Sequence, residues 1–257
     1  LQTYIITPQC PFTYQRLEVE LLFPRLQLKK VSIPGRCLDS DLDNFDLSSL
    51  SFGFTGISFS PIGAKFKATI NEKGGNLDLS TIISPTTVAI NIEKSKITSN
   101  FLNFIIKKKS LLEGTFNLEC HATYKNRRFE TGQITLKSSN FGVSGQNLQG
   151  LNLPGLDIGT LLLKGNFASN NTFEIKTLTV GNEKSPLMAN FSGNVYLNSV
   201  DLGSSPVAIN GSIKFTQTMQ NNFPILNLFF GGKKLNEQGF YTIQIDGVLN
   251  SPKPKIL

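Results

Sequence analysis

The sequence has few of the residues that catalytic and metal sites need. It contains one histidine, three cysteines and no tryptophan in 257 residues, with no C-x-x-C pair. A zinc site is not expected, because structural zinc sites take four Cys or His ligands. His121 follows Cys120 in an alternating pattern, and neighbouring strand residues point to opposite faces. These two side chains cannot form a dyad, and we expect no enzyme activity, catalytic residue, metal or cofactor.

Long apolar runs and dense charge are also missing. No stretch reaches the ~20 apolar residues of a transmembrane helix. Charged residues make up 17% of the chain, against roughly 25% in an average soluble domain. The chain begins at Leu1, without an initiator methionine or a signal peptide. We therefore expect a piece of a longer precursor, and both an N-terminal anchor and a cleaved signal are compatible with it.

Motifs for ion or nucleic-acid binding are absent as well. Asp39, Asp41, Asp43 and Asp46 cluster, but the segment lacks the Gly and Glu of an EF-hand loop, so we interpret it as a solvated acidic loop. The net charge of +7 permits contact with anionic lipid, polysaccharide or nucleic acid. The basic residues are scattered, however, without the interleaved aromatics of single-strand binders. Nucleic acid is therefore not an expected partner.

The sequence is rich in short runs that alternate apolar and polar residues, bounded by Gly, Asn, Ser and Pro. This period-two pattern predicts strands with one buried and one wet face, as in antiparallel sheets. The clearest runs are 64–70, 115–122, 173–180, 207–215 and 241–249. The fold class is therefore predicted to be all-β or mainly β.

Glycines inside the predicted strands indicate how the sheet is shaped. They are Gly165, Gly193, Gly211 and Gly247. Because an internal glycine lets a sheet bend, we predict a large, curved, mostly antiparallel sheet in a single elongated domain over 1–257. A possible seam near 142–159 would separate an N-terminal part, 1–141, from a C-terminal part, 150–257.

Two Phe-rich segments break the alternation, and lysines follow each of them. Residues 99–109 predict a short helix that ends in lysines, which suit the C-terminal end of the helix dipole. Residues 219–235 predict a short helix with Pro224 in its first turn and Gly231 or Gly232 as its end. Either helix could plug the sheet or contact a membrane surface. We favour the plug, because core helices are commoner.

The C-terminal end carries the most specific motif. Residues 239–254 have the pattern G-x-Y-x-I-x-I-x-G-x-L-x-x-P-x-P, and a Leu/Pro/Gly segment at 151–159 leads into a strand at 161–165. A hairpin partner follows at 173–180, and a Leu/Phe segment at 224–230. This layout resembles the long form of bacterial type II secretion system protein N. The ending is also similar to strand endings of AsmA-like envelope proteins.

The resemblance implies a non-enzymatic periplasmic domain, tethered to the inner membrane by an N-terminal helix missing here, with 1–141 as its membrane-proximal part and 150–257 as the part most similar to the family. It would be an accessory or structural component of the type II secretion machinery, acting through contacts with other envelope proteins. The AsmA-like character implies an alternative, a β-groove that binds or transfers lipid. A glycan-binding module is disfavoured, because the aromatic residues lie within strands and tryptophan is missing.

The orientation of six phenylalanines distinguishes the lipid hypothesis from the others. They are Phe59, Phe66, Phe116, Phe167, Phe191 and Phe215. If these phenylalanines line an open concavity, a lipid groove is favoured. If they fill a closed core, the lipid hypothesis is disfavoured.

The three cysteines differ in their surroundings. Cys10 and Cys37 lie in turn-like contexts, and Cys120 lies within a predicted strand. We predict a Cys10–Cys37 disulfide, which could contribute ~3 kcal/mol by constraining the unfolded chain, and a buried free thiol at Cys120. The alternative is three reduced cysteines in a cytosolic protein.

Thiol titration of the denatured, unreduced protein tests this pairing. One free thiol per chain is expected, because a disulfide would remove Cys10 and Cys37 from the count. Three free thiols would contradict the disulfide and remove the strongest argument for an oxidising compartment that does not depend on a family resemblance.

Overall fold

The fold is mainly β, as the alternation predicts. The computed structural model describes residues 12–21, 24–37, 42–126, 128–148, 151–198 and 200–257. These ranges hold seventeen strands and three short helices. Contacts within the chain divide it into two compact units, Leu1–Glu119 and Cys120–Leu257. Each unit is described separately.

Consecutive antiparallel strands form the first unit, each paired with the next along the chain. They are β1 (Arg16–Glu20), β2 (Arg25–Ile33), β3 (Phe45–Phe59), β4 (Ile62–Glu72), β5 (Gly75–Ile83) and β6 (Thr87–Thr98). Leu50 in β3 lies opposite Leu28 in β2 and Ile70 in β4. Because side chains alternate between the faces of a strand, this register collects apolar residues on one face.

The short helix α1 (Ser99–Ile105) packs on this sheet. Phe104 stacks on buried Phe45 with ring centroids 4.7 Å apart, and Phe101 also packs against this core. The buried Asn103 fixes the chain that follows, because its amide donates to the carbonyl of Leu112 at 2.9 Å and its side-chain oxygen accepts from that residue's N–H at 2.8 Å. Short β7 (Leu112–Glu113) starts there, and β8 (Thr115–Lys125) follows.

The acidic segment before and within β3 differs in part from its prediction. Asp46 lies inside β3 rather than in a loop, where its carboxylate accepts a hydrogen bond from the hydroxyl of Ser32 at 2.6 Å. Asp43 precedes the strand, and Asp39 and Asp41 lie outside the described residues. The loop prediction is therefore wrong for Asp46, since pairing with β2 extends β3 back to Phe45.

The second unit is again built of antiparallel strands. They are β9 (Arg128–Val143), β12 (Leu156–Ala168), β13 (Thr172–Val180), β14 (Leu187–Tyr196), β15 (Val207–Phe215), β16 (Tyr241–Val248) and β17 (Ser251–Ile256). Between the first two, β10 (Gln146–Leu148) and β11 (Leu151–Leu153) form a separate two-stranded sheet. The region 142–159 lies here, and its role as a seam stays a prediction.

Two further helices cover one end of the apolar face in the second unit. They are α2 (Gln217–Asn222) and α3 (Ile225–Phe230). Met219 and Phe223 are buried with Phe215, while Leu226 and Phe230 pack against them. The sequence predicts one helix over 219–235, with Pro224 in its first turn. Instead Pro224, which has no N–H to donate, separates two helices, and Gly231 follows the second.

An internal glycine makes room for an aromatic ring in the second unit. Gly211 in β15 pairs with Phe191 in β14. A Cβ built on Gly211 would lie 2.1 Å from Cδ1 of Phe191 and 2.4 Å from the carbonyl oxygen of Asn190. The phenyl ring therefore occupies the space that a side chain at Gly211 would need, which compensates for the missing side chain on the strand.

Gly211→Ala is therefore expected to lower the free energy of unfolding by about 1–3 kcal/mol, because the added methyl displaces the ring or the strand. Thermal and urea unfolding followed by circular dichroism measure the change. Ser212→Ala, one residue along on the opposite face, is the matched control. Equal stability of the two variants would contradict the packing described for Phe191.

Candidate functional site

The sheet of the first unit has one polar and one apolar face. On the polar face, Lys29 donates to Glu18 at 2.8 Å, which lowers the pKa of that carboxyl, and Thr69 donates to Asp78 at 2.8 Å. The apolar face carries the alternate residues of the same strands. They include Leu26, Leu28, Leu50, Phe52, Phe54, Phe66, Ala68, Ile70, Leu77 and Leu79.

An apolar groove lies where the β1–β2 hairpin meets β3 and β4. We call it the aromatic groove, and it encloses about 290 Å³. Its apolar lining consists of Val19, Leu21, Pro24, Leu26, Phe52, Phe54 and Phe66. Its charged lining residues, Glu20 and Arg25, face each other in the β1–β2 pairing. The volume is near the lower end of that of small-molecule sites.

Three rings fix the floor of the aromatic groove. Phe66 stacks on Phe52 with centroids 5.2 Å apart and meets Phe54 edge-on at 5.8 Å. The backbone N–H of Phe54 donates to the carbonyl of Pro24 at 2.9 Å, which ties the hairpin end to β3. Strand pairing thus fixes the backbone positions that carry these rings.

The groove lining remains open to solvent. Phe52 is 47% exposed and Leu21 is 87% exposed. Soluble proteins rarely leave contiguous large apolar side chains in water, and such patches mark sites that bind lipid, ligand or protein. The exposed surface of the lining is almost wholly apolar. It offers dispersion contacts and desolvation and has no arrangement of groups for bond-making chemistry.

A second, polar cleft of about 370 Å³ lies beside α1. Lys109 pairs there with Asp43 at 3.0 Å, and Glu72 accepts a hydrogen bond from the backbone N–H of Thr98 at 2.8 Å. These charges are engaged with each other and with the backbone. Among the residues that the structure describes, no three His, Cys, Asp or Glu side chains are placed to hold a metal ion.

Within neither unit do the phenylalanines predicted as a possible groove lining share one surface. In the first unit, Phe66 lines the aromatic groove, Phe116 is buried, and Phe59 is exposed outside that lining. In the second unit, Phe167 stacks on Phe129 at 4.6 Å and Phe215 is buried beneath α2 and α3.

The remaining one of the six, Phe191, lies half-buried over Gly211. Sequence reasoning missed Phe52 and Phe54, although their spacing in S-F-G-F-T places both on one strand face.

The cysteine predictions are tested only in part. Cys10 and the side chain of Cys37 lie outside the described residues, so their pairing stays a prediction. Cys120 is buried and unpaired, as expected, and burial raises the pKa of its thiol. His121 is exposed on the same strand, which confirms that the two side chains point to opposite faces.

Comparison with known proteins gives no relative: no family model, curated protein or solved structure matches the chain. None of the helices in the described ranges is long and apolar enough to cross a membrane.

Proposed function

We propose that this chain is a non-enzymatic binding protein of the bacterial envelope that holds a lipid acyl chain in the aromatic groove. The observation that carries the proposal is the groove itself. Phe52, Phe54 and Phe66 present a preformed apolar floor that is open to solvent. This function corresponds to the AsmA-like alternative from the sequence.

The energetics favour an apolar chain as the ligand. Each buried methylene contributes about 0.8 kcal/mol, so full burial of about eight methylenes would supply about 6 kcal/mol. Because association also costs translational and rotational freedom, tens of micromolar is the lowest dissociation constant expected. Because the exposed surface of the lining is almost wholly apolar, the groove offers contacts to the chain rather than to a charged head group.

The absence of tryptophan provides a clean reporter of binding. Phe52→Trp would place the protein's one indole in the aromatic groove, and a brominated fatty acid quenches indole fluorescence on contact. We expect saturable quenching with a midpoint of tens of micromolar or above. Native mass spectrometry of gently purified wild-type protein should also detect bound lipid.

The matched control is Phe59→Trp, which places the indole at an exposed position of β3 outside the groove lining. It should show weak quenching that does not saturate. Equal quenching of the two indoles, or no quenching at Phe52→Trp together with no co-purifying lipid, would reject acyl-chain binding in this groove.

A second candidate function is the accessory role in type II secretion. Its support is the resemblance of the C-terminal half, with the periplasmic location and inner-membrane tether that this resemblance implies. One structural observation favours it: within the described part of the chain, the outer edge of β1 pairs with no other strand. An open strand edge can take an added strand from a partner protein.

Leu17→Lys tests this candidate, because a lysine on an edge strand opposes strand addition. In pull-downs of the full-length, membrane-anchored protein from its native envelope, wild type should capture other secretion components and Leu17→Lys should lose most of them. Leu249→Lys is the control, since Leu249 is about as exposed as Leu17 but lies outside β1. Capture of no secretion component, or equal capture by both variants, would contradict the edge-pairing role.

A further inference from the structure

Helix α3 has two apolar sides, of which the protein covers only one. Phe230 packs on Phe215 and Tyr241, with ring centroids 4.9 Å apart in both pairs, and Leu226 joins the same core. Leu228 and Phe229 point elsewhere and are 82% and 61% exposed. Two of the large apolar side chains of this six-residue helix are therefore exposed to solvent.

Positive charge follows directly after these exposed side chains. Lys233 and Lys234 come after Gly231 and Gly232, and the stretch 217–236 contains no carboxylate. The ammonium of Lys233 donates to the carbonyl of Ile256 at 3.2 Å. Across the described ranges, neither lysine takes part in an ion pair within 4.0 Å. Both charges remain available to an external anion.

The backbone holds this arrangement in a fixed position. The N–H of Gly231 donates to the carbonyl of Asn227 at 2.9 Å, and that of Lys233 donates to Phe230 at 3.1 Å. These bonds tie the lysine-bearing turn to the helix, whose other side is anchored in the core. Little conformational entropy would therefore be lost when the exposed side chains are buried.

We propose that Leu228, Phe229, Lys233 and Lys234, which we call the α3 patch, dock the protein onto an anionic lipid bilayer. Leu228 and Phe229 enter the boundary between head groups and acyl chains, and the lysines lie against lipid phosphates. Exposed apolar side chains combined with adjacent lysines are the combination that binds such interfaces. The docking is independent of the aromatic groove and goes beyond the function proposed for it.

The second unit contains a natural contrast to the α3 patch. Val200 and Leu202 are 94% and 60% exposed, which is close to the exposure of Leu228 and Phe229. Asp201 lies between them and no lysine follows within ten residues. An anionic membrane would repel this carboxylate, so these two apolar residues are not expected to dock.

Vesicle flotation tests the proposal with the whole chain. Wild type should float with vesicles of phosphatidylethanolamine and phosphatidylglycerol, remain unbound with phosphatidylcholine alone, and dissociate at high salt because salt screens the lysines. Lys233→Gln/Lys234→Gln should lower the vesicle partition coefficient about 25-fold, because each lysine contributes about a fivefold increase. Leu228→Ser/Phe229→Ser should weaken it at least about tenfold, because the apolar anchor is lost.

Val200→Ser/Leu202→Ser is the matched control and should bind as wild type does. Circular dichroism and thermal unfolding verify that every variant is folded. The proposal is overturned if wild type does not float, if it floats equally with phosphatidylcholine, or if both serine variants lose binding alike. It is also overturned if the α3 patch variants float as wild type does, since binding then lies elsewhere.

A second copy of the chain is the competing occupant of the α3 patch. Analytical ultracentrifugation should find the same oligomeric state for wild type and for Leu228→Ser/Phe229→Ser. A dimer that the serine variant dissociates, without vesicle binding, would overturn membrane docking in favour of self-association. Quenching at Phe52→Trp reports the groove separately, so either proposal can fail while the other stands.

Discussion

The constraint behind this structure is that a sheet one layer thick has an apolar face that must be covered. Backbone hydrogen bonds between consecutive strands satisfy the polar groups of the main chain, but they do not shield the apolar face from water. In the first unit, α1 covers Phe45, and in the second unit α2 and α3 cover Phe215. Each cover is short, and in the first unit Phe52 stays in contact with solvent. The aromatic groove is therefore a direct result of incomplete cover.

The opposite face explains the unusual composition. Strand pairs there are joined through short polar and charged side chains, such as the amide of Asn71 donating to the hydroxyl of Ser49 at 2.9 Å. Such cross-strand pairs stabilise a sheet without a large number of charges. A low charged fraction and many Asn, Ser and Thr residues follow from this role. The same division leaves the exposed apolar side chains of the aromatic groove on one face of the first unit's sheet.

Many of the strands and the approximate positions of the helices could be predicted from the sequence, because period-two alternation and glycine at segment ends act locally. The burial of Cys120 followed from the same alternation. The groove could not be predicted, because its floor depends on register: Phe66 meets Phe54 only through the pairing of β3 with β4. Phe59, selected for its residue type, lies beyond the groove at the strand end. The first part of β3 was missed because its Ser and Gly residues weaken the apolar signal that carries strand prediction.

Pairing of each strand with the next one along the chain, seen from β1 to β6, has an evolutionary consequence. A duplicated hairpin inserted between two strands returns the chain to its starting direction, and its alternate residues continue both faces without disturbing the older pairs. Loss of a hairpin is equally tolerated, because each strand depends mainly on its immediate neighbours, as units do in repeat proteins. The number of strands in such a sheet can therefore change by two at a time while the polar and apolar faces are preserved. Homologues that differ in length by whole hairpins are the expected outcome of that freedom.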